Sequence, residues 1–185
     1  FKVQDDGGTA NSGVDLDTTA RTMTVNVTSV NDAPVGTSNT VTTLEDTDYT
    51  FTAANFGFTD PSDAAGAGGA NALTAVKITA VPGAGTLALS GVAVTANQVV
   101  SVANINAGNL KFTPAANQNG AGYASFTFKV QDDGGTANSG VDLDTAARTM
   151  TVNVTSVNDA PVGTNNTVTT LEDTDYTFTA ADFGF

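Results

Sequence analysis

The stretch Thr28-Ser-Val-Asn-Asp-Ala-Pro-Val-Gly-Thr37 returns without change at residues 155–164 of the chain. Sliding the sequence along itself by 127 residues superposes residues 1–58 on residues 128–185. Only three pairs of positions differ in that overlap, namely Thr19/Ala146, Ser38/Asn165 and Asn55/Asp182. Self-similarity of this length at one fixed period is the signature of a tandem array of modules.

The boundary between modules falls at the repeated Asn-Asp-Ala-Pro segment. Proline has no backbone N–H and cannot donate within a β-ladder, and Asn and Asp favour turns. The sequence therefore predicts three parts: the last strands of one repeat with its linker, one complete repeat, and the first strands of a third repeat. These parts are residues 1–33, 34–160 and 161–185.

Apolar residues alternate with polar or small residues throughout the complete repeat. The alternating runs are rich in Val, Thr and aromatic residues and are bounded by Gly, Pro, Asn and Asp, which is typical of short β-strands. They lie at 49–51, 76–78, 87–89, 92–94, 110–112, 126–130 and 150–154. No helical spacing of useful length competes with them. We therefore predict an all-β chain that folds as tandem antiparallel β-sandwich repeats of 127 residues.

Composition excludes several classes of function. The formal net charge is −13, whereas nucleic acid and anionic lipid both require a cationic protein surface. The chain has no Cys, which excludes disulfides and zinc–thiolate sites, and no His, which excludes Ser-His-Asp catalysis and imidazole metal sites. No apolar run approaches the roughly 18 residues that a transmembrane helix needs, so we expect no membrane insertion in this segment.

The acidic residues crowd at turns and at the repeat boundary instead of spreading over every exposed face. None occurs between Asp63 and Asp132, although that stretch contains Lys77 and Lys111. Carboxylates that lie close together repel one another unless a cation lies among them. Clusters of oxygen ligands without His or Cys suit Ca²⁺, which takes six to eight oxygen ligands in a flexible geometry. The sequence therefore predicts calcium sites.

Several motifs resemble one known family. The sequence from Phe128-Lys-Val-Gln-Asp-Asp-Gly-Gly135 to the linker at Asn158-Asp-Ala-Pro161 resembles the last two strands and linker of a cadherin-type repeat. Residues 109–120 and Leu44-Glu-Asp-Thr47 resemble two further motifs of bacterial cadherin-like tandem repeats, which occur in very large surface and biofilm adhesins. The resemblance covers the whole repeat. It implies an Ig-like, cadherin-like sandwich and an extracellular location on the bacterial cell surface.

The same resemblance implies Ca²⁺ between successive repeats. Around the first linker it implies a ligand set formed by Asn31, Asp32, Asp60, Asp63 and either Asp132 or Asp133. At the next junction it implies Glu45 together with Asn158 and Asp159, and Glu172 repeats Glu45 one period later. Ser29 and Ala33 stand where animal cadherins have Asp and Asn, which implies fewer ions per junction or weaker binding.

Each acidic motif also has a purely structural interpretation. Asp60-Pro-Ser-Asp63 fits a turn, and Asp132-Asp-Gly-Gly135 fits a hairpin bend. Asp142 and Asp144 are read more readily as part of a solvated loop than as a second cation site. The paired carboxylates do not indicate a glycosidase, because the chain has no Trp to form a sugar platform and only three Tyr.

We therefore expect a non-catalytic extender, or stalk, segment of a large extracellular bacterial adhesin. Its partners are the neighbouring repeats of the same chain, and Ca²⁺ stiffens the junctions between them. Two alternatives stay open. In the first, loops such as residues 63–71 bind surface glycans or another copy of the chain. In the second, repeats pack side by side into a self-assembling surface filament or matrix through open sheet edges.

Overall fold

A computed structural model of the chain describes residues 1–66 and 68–184, in which two facing β-sheets dominate. The larger sheet has the strand order β1-β9-β8-β3-β6, and the smaller has the order β2-β7-β4-β5. The strands are β1 (Asn39–Leu44), β2 (Tyr49–Thr50), β3 (Leu73–Ala80), β4 (Thr86–Leu89), β5 (Val92–Ala93), β6 (Val99–Ser101), β7 (Leu110–Thr113), β8 (Gly120–Asp132) and β9 (Arg148–Thr155).

Helical structure in the described residues is confined to short connecting segments. Two α-helices, α1 (Pro61–Ala64) and α2 (Val102–Asn106), join strands of the sandwich. Single 3₁₀ turns lie at Ala10–Ser12, Ala53–Phe56, Ala137–Ser139 and Ala180–Phe183. The predicted all-β fold is therefore confirmed, and the seven strands predicted from alternation correspond to β2 to β5 and β7 to β9.

Aromatic side chains fill the space between the two sheets. Phe51 follows β2 of the smaller sheet, and its ring meets the ring of Phe126 from β8 edge-on, with 5.4 Å between the ring centroids. Phe56 meets Phe128 in the same way at 4.9 Å. All four side chains are at most 1% exposed. Edge-to-face pairs of this kind stabilise by about 0.5–1.5 kcal/mol beyond the area that they bury.

The direction of β1 differs from the prediction of a purely antiparallel sandwich. β1 pairs with β9 in parallel, from Asn39 opposite Met150 to Leu44 opposite Thr155. The other strand pairs in the described residues are antiparallel. Because the first and last strands run in the same direction, the chain enters the sandwich at one end and leaves it at the opposite end. This geometry suits repeats that are joined end to end.

Residues 1–30 reproduce the local structure of their counterparts one period later. The N–H of Asp5 donates to the carbonyl of Asp15 at 2.8 Å, as the N–H of Asp132 does to the carbonyl of Asp142 at 2.9 Å. Their apolar side chains are exposed, however: Met23 is 75% exposed, whereas the equivalent Met150 is fully buried. Residues 1–66 and 68–184 contain one complete sandwich, so the tandem arrangement and the three predicted parts of the chain stay predictions.

Candidate cation site at one end of the sandwich

Five side chains with oxygen atoms meet at the end of the sandwich where β1 and β9 begin. Asp132 is the last residue of β8, which runs antiparallel to β9 and therefore ends there. Asp60 immediately precedes α1, and Asp63 lies within its single turn. Asn31 lies in the segment that leads into β1, and Asn71 lies just before β3, which also begins at this end.

Asn31 anchors the linker to the body of the sandwich. Its Nδ2 has three acceptors within hydrogen-bond distance for its two hydrogens, namely Asp132 Oδ1 at 3.1 Å, the carbonyl of Gly135 at 3.1 Å and the carbonyl of Val141 at 2.8 Å. The N–H of Val141 donates back to the carbonyl of Asn31 at 2.9 Å. One linker residue is thus held on both its side chain and its backbone by the segment that follows β8.

The two aspartates at α1 hold the neighbouring chain segments. Asp63 Oδ2 accepts from the N–H of Asp32 at 2.9 Å and from Asn71 Nδ2 at 3.2 Å. Asp60 Oδ2 accepts from the N–H of Asn71 at 2.7 Å. The amide of Asn71 also donates to Asn31 Oδ1. These contacts close a ring of polar groups around the linker.

Two carboxylate oxygens in this ring have no hydrogen-bond partner in the described residues. They are Asp60 Oδ1 and Asp132 Oδ2. The side chains that carry them are almost completely buried, since Asp60 is 5% exposed and Asp132 is 3% exposed. An unsatisfied buried oxygen of a charged group costs about 1–3 kcal/mol or more. The two oxygens are therefore positions at which a cation would be favourable.

The electrostatics of Asp132 favour a neighbouring positive charge. Burial raises the pKa of Asp132 above its ordinary value, and the nearby charges of Asp60 and Asp142 raise it further. Hydrogen bonds from the N–H of Gly134 and from Asn31 oppose this increase without cancelling it. The folded protein thus penalises the ionised form of Asp132, and a bound cation would remove that penalty.

Gly134 allows the amide groups to approach the backbone. A Cβ atom at this position would overlap the side-chain amides of Asn31 and Asn71. By sequence, Asp132-Asp-Gly-Gly135 fits a hairpin bend. Here the absence of a side chain at Gly134 makes room for the linker residue Asn31.

The donor set fits a hard cation better than zinc. Carboxylate and amide oxygens are the ligands preferred by Ca²⁺ and Mg²⁺, whereas zinc favours Cys and His, which this chain lacks. Among residues 1–66 and 68–184, no three acidic side chains converge closely enough to share one ion. A cation at this end would therefore need amide, backbone or water oxygens in addition to Asp60 and Asp132.

Two of the predicted ligands at this junction face away from the ring. Asp32 is exposed and contributes its backbone N–H to Asp63 rather than its carboxylate. Asp133 is also exposed, and its Oδ1 accepts from the N–H of Ala72 at 2.7 Å. Asn71 was not predicted, because an Asn beside a Gly- and Ala-rich loop gives no sequence signal of its own.

Glu45 lies at the opposite end of the sandwich, where the chain leaves it. Its carboxylate is 4% exposed and accepts from the N–H of Val157 and from Asn119 Nδ2, the latter at 2.9 Å. These hydrogen bonds, that of Val157 first, hold the pKa of Glu45 below its ordinary value. Glu45 therefore fixes the exit of the linker by direct hydrogen bonds.

The other residues predicted for the second junction lie at the surface. Asn158 and Asp159 are exposed, and Asn158 Nδ2 donates to the carbonyl of Asp159 at 3.2 Å. Glu172 is exposed as well. Their counterparts of Asp60 and Asp132 would lie beyond residue 185, so their role as ligands stays a prediction.

The interpretation of Asp144 as part of a solvated loop is wrong. Its side chain is 1% exposed and pairs with Arg148, whose Nε donates to Asp144 Oδ2 at 2.9 Å. Burial alone would raise its pKa, but hydrogen bonds from Arg148 and from the N–H groups of Gly36 and Ala146 lower it overall. The basic partner four residues along was the sequence signal for this pair. Asp144 thus joins the start of β9 to the segment that enters β1.

Two facing sheets around an aromatic core define a β-sandwich of the immunoglobulin-like class. The family model described as the bacterial Ig domain matches residues 31–155, which is more than half of the chain. The chain therefore belongs to the bacterial Ig domain family. No curated protein and no solved structure matched it.

Membership of this family carries a general functional meaning. Bacterial Ig domains are structural modules that are common in surface and adhesin-like proteins, and they are typically non-catalytic. None of the helices in the described residues is long and apolar enough to cross a bilayer.

Proposed function

We propose that this chain is a non-catalytic extender segment of a large extracellular bacterial adhesin, stiffened by Ca²⁺ at the junctions between repeats. The observation that supports it best is that equivalent linker regions are held at opposite ends of one sandwich. The N–H of Val157 is bound by Glu45 at the exit end. Asn31, which is equivalent to Asn158 one period earlier, is bound by Asp132 at the entry end.

These two anchors act on adjacent residues when repeats follow one another. In each Val-Asn pair of a linker, the Val would be fixed to the repeat before it and the Asn to the repeat after it. Because no free residue separates the anchors, the junction would have little freedom to bend. A rigid junction is what distinguishes an extender from a flexible string of domains.

Calcium would strengthen the entry anchor. Asp60 and Asp132 would hold the ion through their unpartnered oxygens, amide, backbone or water oxygens would complete its coordination, and Asn31 lies beside Asp132. When bound, the ion supplies the positive charge that two buried carboxylates lack. Asn31 would then be fixed to Asp132 both by its hydrogen bond and by a shared cation.

Small-angle scattering of a chain of several repeats tests the extender role. We expect the maximum dimension to fall when a chelator removes Ca²⁺, and to fall further when Glu45 and its equivalents are replaced by Ala. Asp48→Asn in every repeat is the control, since Asp48 is exposed and its carboxylate accepts from Thr113 and not from the linker. An unchanged maximum dimension in both experiments would contradict the proposal.

A further inference from the structure

β1 is an open edge of the larger sheet. The remaining sheet edges in the described residues are β2, β5 and β6, which are two or three residues long, whereas β1 has six residues. Its sequence, Asn39-Thr-Val-Thr-Thr-Leu44, contains no charged residue and no proline. Edge strands that avoid self-association are usually short, charged or interrupted by proline, and β1 has none of these features.

The backbone of β1 leaves a small set of groups free on its outer side. The N–H of Glu45 donates to the carbonyl of Thr155 on β9, and alternate residues of a strand direct their N–H and C=O groups to the same side. Thr40, Thr42 and Leu44 therefore direct theirs away from β9. Within the chain, the N–H of Thr40 donates to Asn39 Oδ1, and the carbonyl of Leu44 accepts from the N–H of Thr47.

Four groups then have no partner in the described residues: both backbone groups of Thr42, the carbonyl of Thr40 and the N–H of Leu44. This set is complementary to itself. Around a two-fold axis at Thr42, the two Thr42 residues exchange hydrogen bonds, and each Leu44 N–H reaches the Thr40 carbonyl of the other copy. The N–H of Thr40 and the carbonyl of Leu44 are already hydrogen-bonded within the chain, and this limits pairing to the one register.

We propose that β1 binds β1 of a second copy of this chain in an antiparallel pair. The two-fold arrangement places Asp46 opposite Ser38 and so avoids placing acidic residues opposite each other, which parallel pairing would not avoid. It also places Thr42 across from Thr42, a favourable cross-strand pair. The identical sequence at residues 166–171 offers the same edge one period later. Repeated edges would join two long chains many times, which strengthens a weak single contact.

Sedimentation velocity and amide hydrogen exchange of the 185-residue chain test this pairing. We expect a reversible dimer that forms at high protein concentration and strengthens with salt, because the net charge of −13 opposes association. Exchange at the amides of Thr42 and Leu44 should slow several-fold as the dimer forms. Thr42→Lys places a charge at the edge and should weaken the dimer at least tenfold.

Thr149→Lys is the matched control, since Thr149 is an exposed residue of β9, an interior strand of the same sheet. This variant should dimerise like the parent chain. A chain that stays monomeric at all concentrations contradicts the proposal. So does a dimer that Thr42→Lys leaves unchanged, or one that protects the exposed amides of residues 22–27 and not that of Thr42. The pairing does not depend on Ca²⁺, so its failure would leave the proposed extender role standing.

Discussion

Asp132 shows how a single side chain can carry an unfavourable interaction that a ligand would remove. One of its oxygens is satisfied by Asn31 and the N–H of Gly134, while the other is buried without a partner. Its raised pKa reflects this burial first and the neighbouring acidic charges second. Ionised Asp132 therefore disfavours the folded state, and a bound cation would remove that cost.

The variant Asp132→Asn separates the cost of the buried charge from the stabilisation that a bound cation would give. The amide oxygen can still accept from Asn31 and Gly134, while the buried charge disappears. We expect the melting temperature in chelator to rise, because an unsatisfied buried charged group costs about 1–3 kcal/mol. The same variant should lose the stabilisation that Ca²⁺ gives the parent chain. Differential scanning calorimetry with and without Ca²⁺ measures both effects.

Asp133→Asn is the control for this experiment, since it makes the same change of charge at an exposed neighbour. It should keep the response to Ca²⁺. An Asp132→Asn variant that melts below the parent in chelator, or that keeps the full response to Ca²⁺, would count against a cation at Asp132.

At the scale of elements, the pair Asp144–Arg148 links the starts of the first and last strands of the sandwich, β1 and β9. Asp144 accepts from Arg148 at the start of β9 and from the N–H of Gly36 just before β1, at 2.9 Å in each case. β1 and β9 are parallel neighbours that begin at the same end. The buried carboxylate therefore holds the entry of β1 against β9.

Arg148→Ala leaves the Asp144 carboxylate buried without its cation. We expect a loss of about 3 kcal/mol in the free energy of unfolding, at the lower end for a broken buried ion pair, because two backbone N–H groups still donate to Asp144. Denaturant titration measures this loss. Arg21→Ala is the control: its equivalent pair with Asp17 is 3.0 Å long but lies at the surface, so no measurable loss is expected.

The pH dependence of this variant has a definite sign. The folded pKa of Asp144 lies below its ordinary value of 3.8, so its contribution to stability is complete above that value and is lost as the pH falls through the lower folded pKa. Without Arg148 the effect of burial raises the folded pKa. Acid unfolding of Arg148→Ala should therefore begin at a higher pH than that of the parent. Unfolding midpoints at the same pH would show that Asp144 is not buried as described.

The elements differ in how far the sequence could predict them. Alternation between core and solvent is clear in predicted strands such as β9, where Met150, Val152 and Val154 are buried, but not in β5, where both residues are exposed. β1 was missed because its only strongly apolar inward residue is Val41, while Leu44 is exposed. Its parallel direction depends on pairing with a strand more than 100 residues away, which local periodicity does not encode.

The sequence predicted only part of the candidate site, because long-range packing decides which acidic side chains are buried. The crowding of acids at turns predicted cation sites in general, and the resemblance to cadherin-type repeats implied Asp60, Asp63 and Asp132, which all lie at one end of the sandwich. Whether a carboxylate faces a ring of polar groups, a backbone N–H or a basic side chain depends on the fold. That is why Asp132 and its neighbour Asp133 differ in burial, and why Asn71 and the burial of Asp144 were missed.

At the scale of the whole molecule, the charge and the chain path support the same account. The sandwich is entered and left at opposite ends, with Asn31 held at one end and Val157 at the other. In an array, each linker would be held by the repeat before it and the repeat after it. Under the proposed function, part of the excess of acidic residues would serve as cation ligands where successive repeats meet.

Isothermal titration calorimetry of the 185-residue chain with CaCl₂ at neutral pH tests this account most directly. The account predicts saturable binding of at least one Ca²⁺, which Asp60→Asn combined with Asp132→Asn abolishes and Asp48→Asn leaves intact. No binding at millimolar Ca²⁺, or binding that the double variant retains in full, would contradict a cation at the entry end of the sandwich.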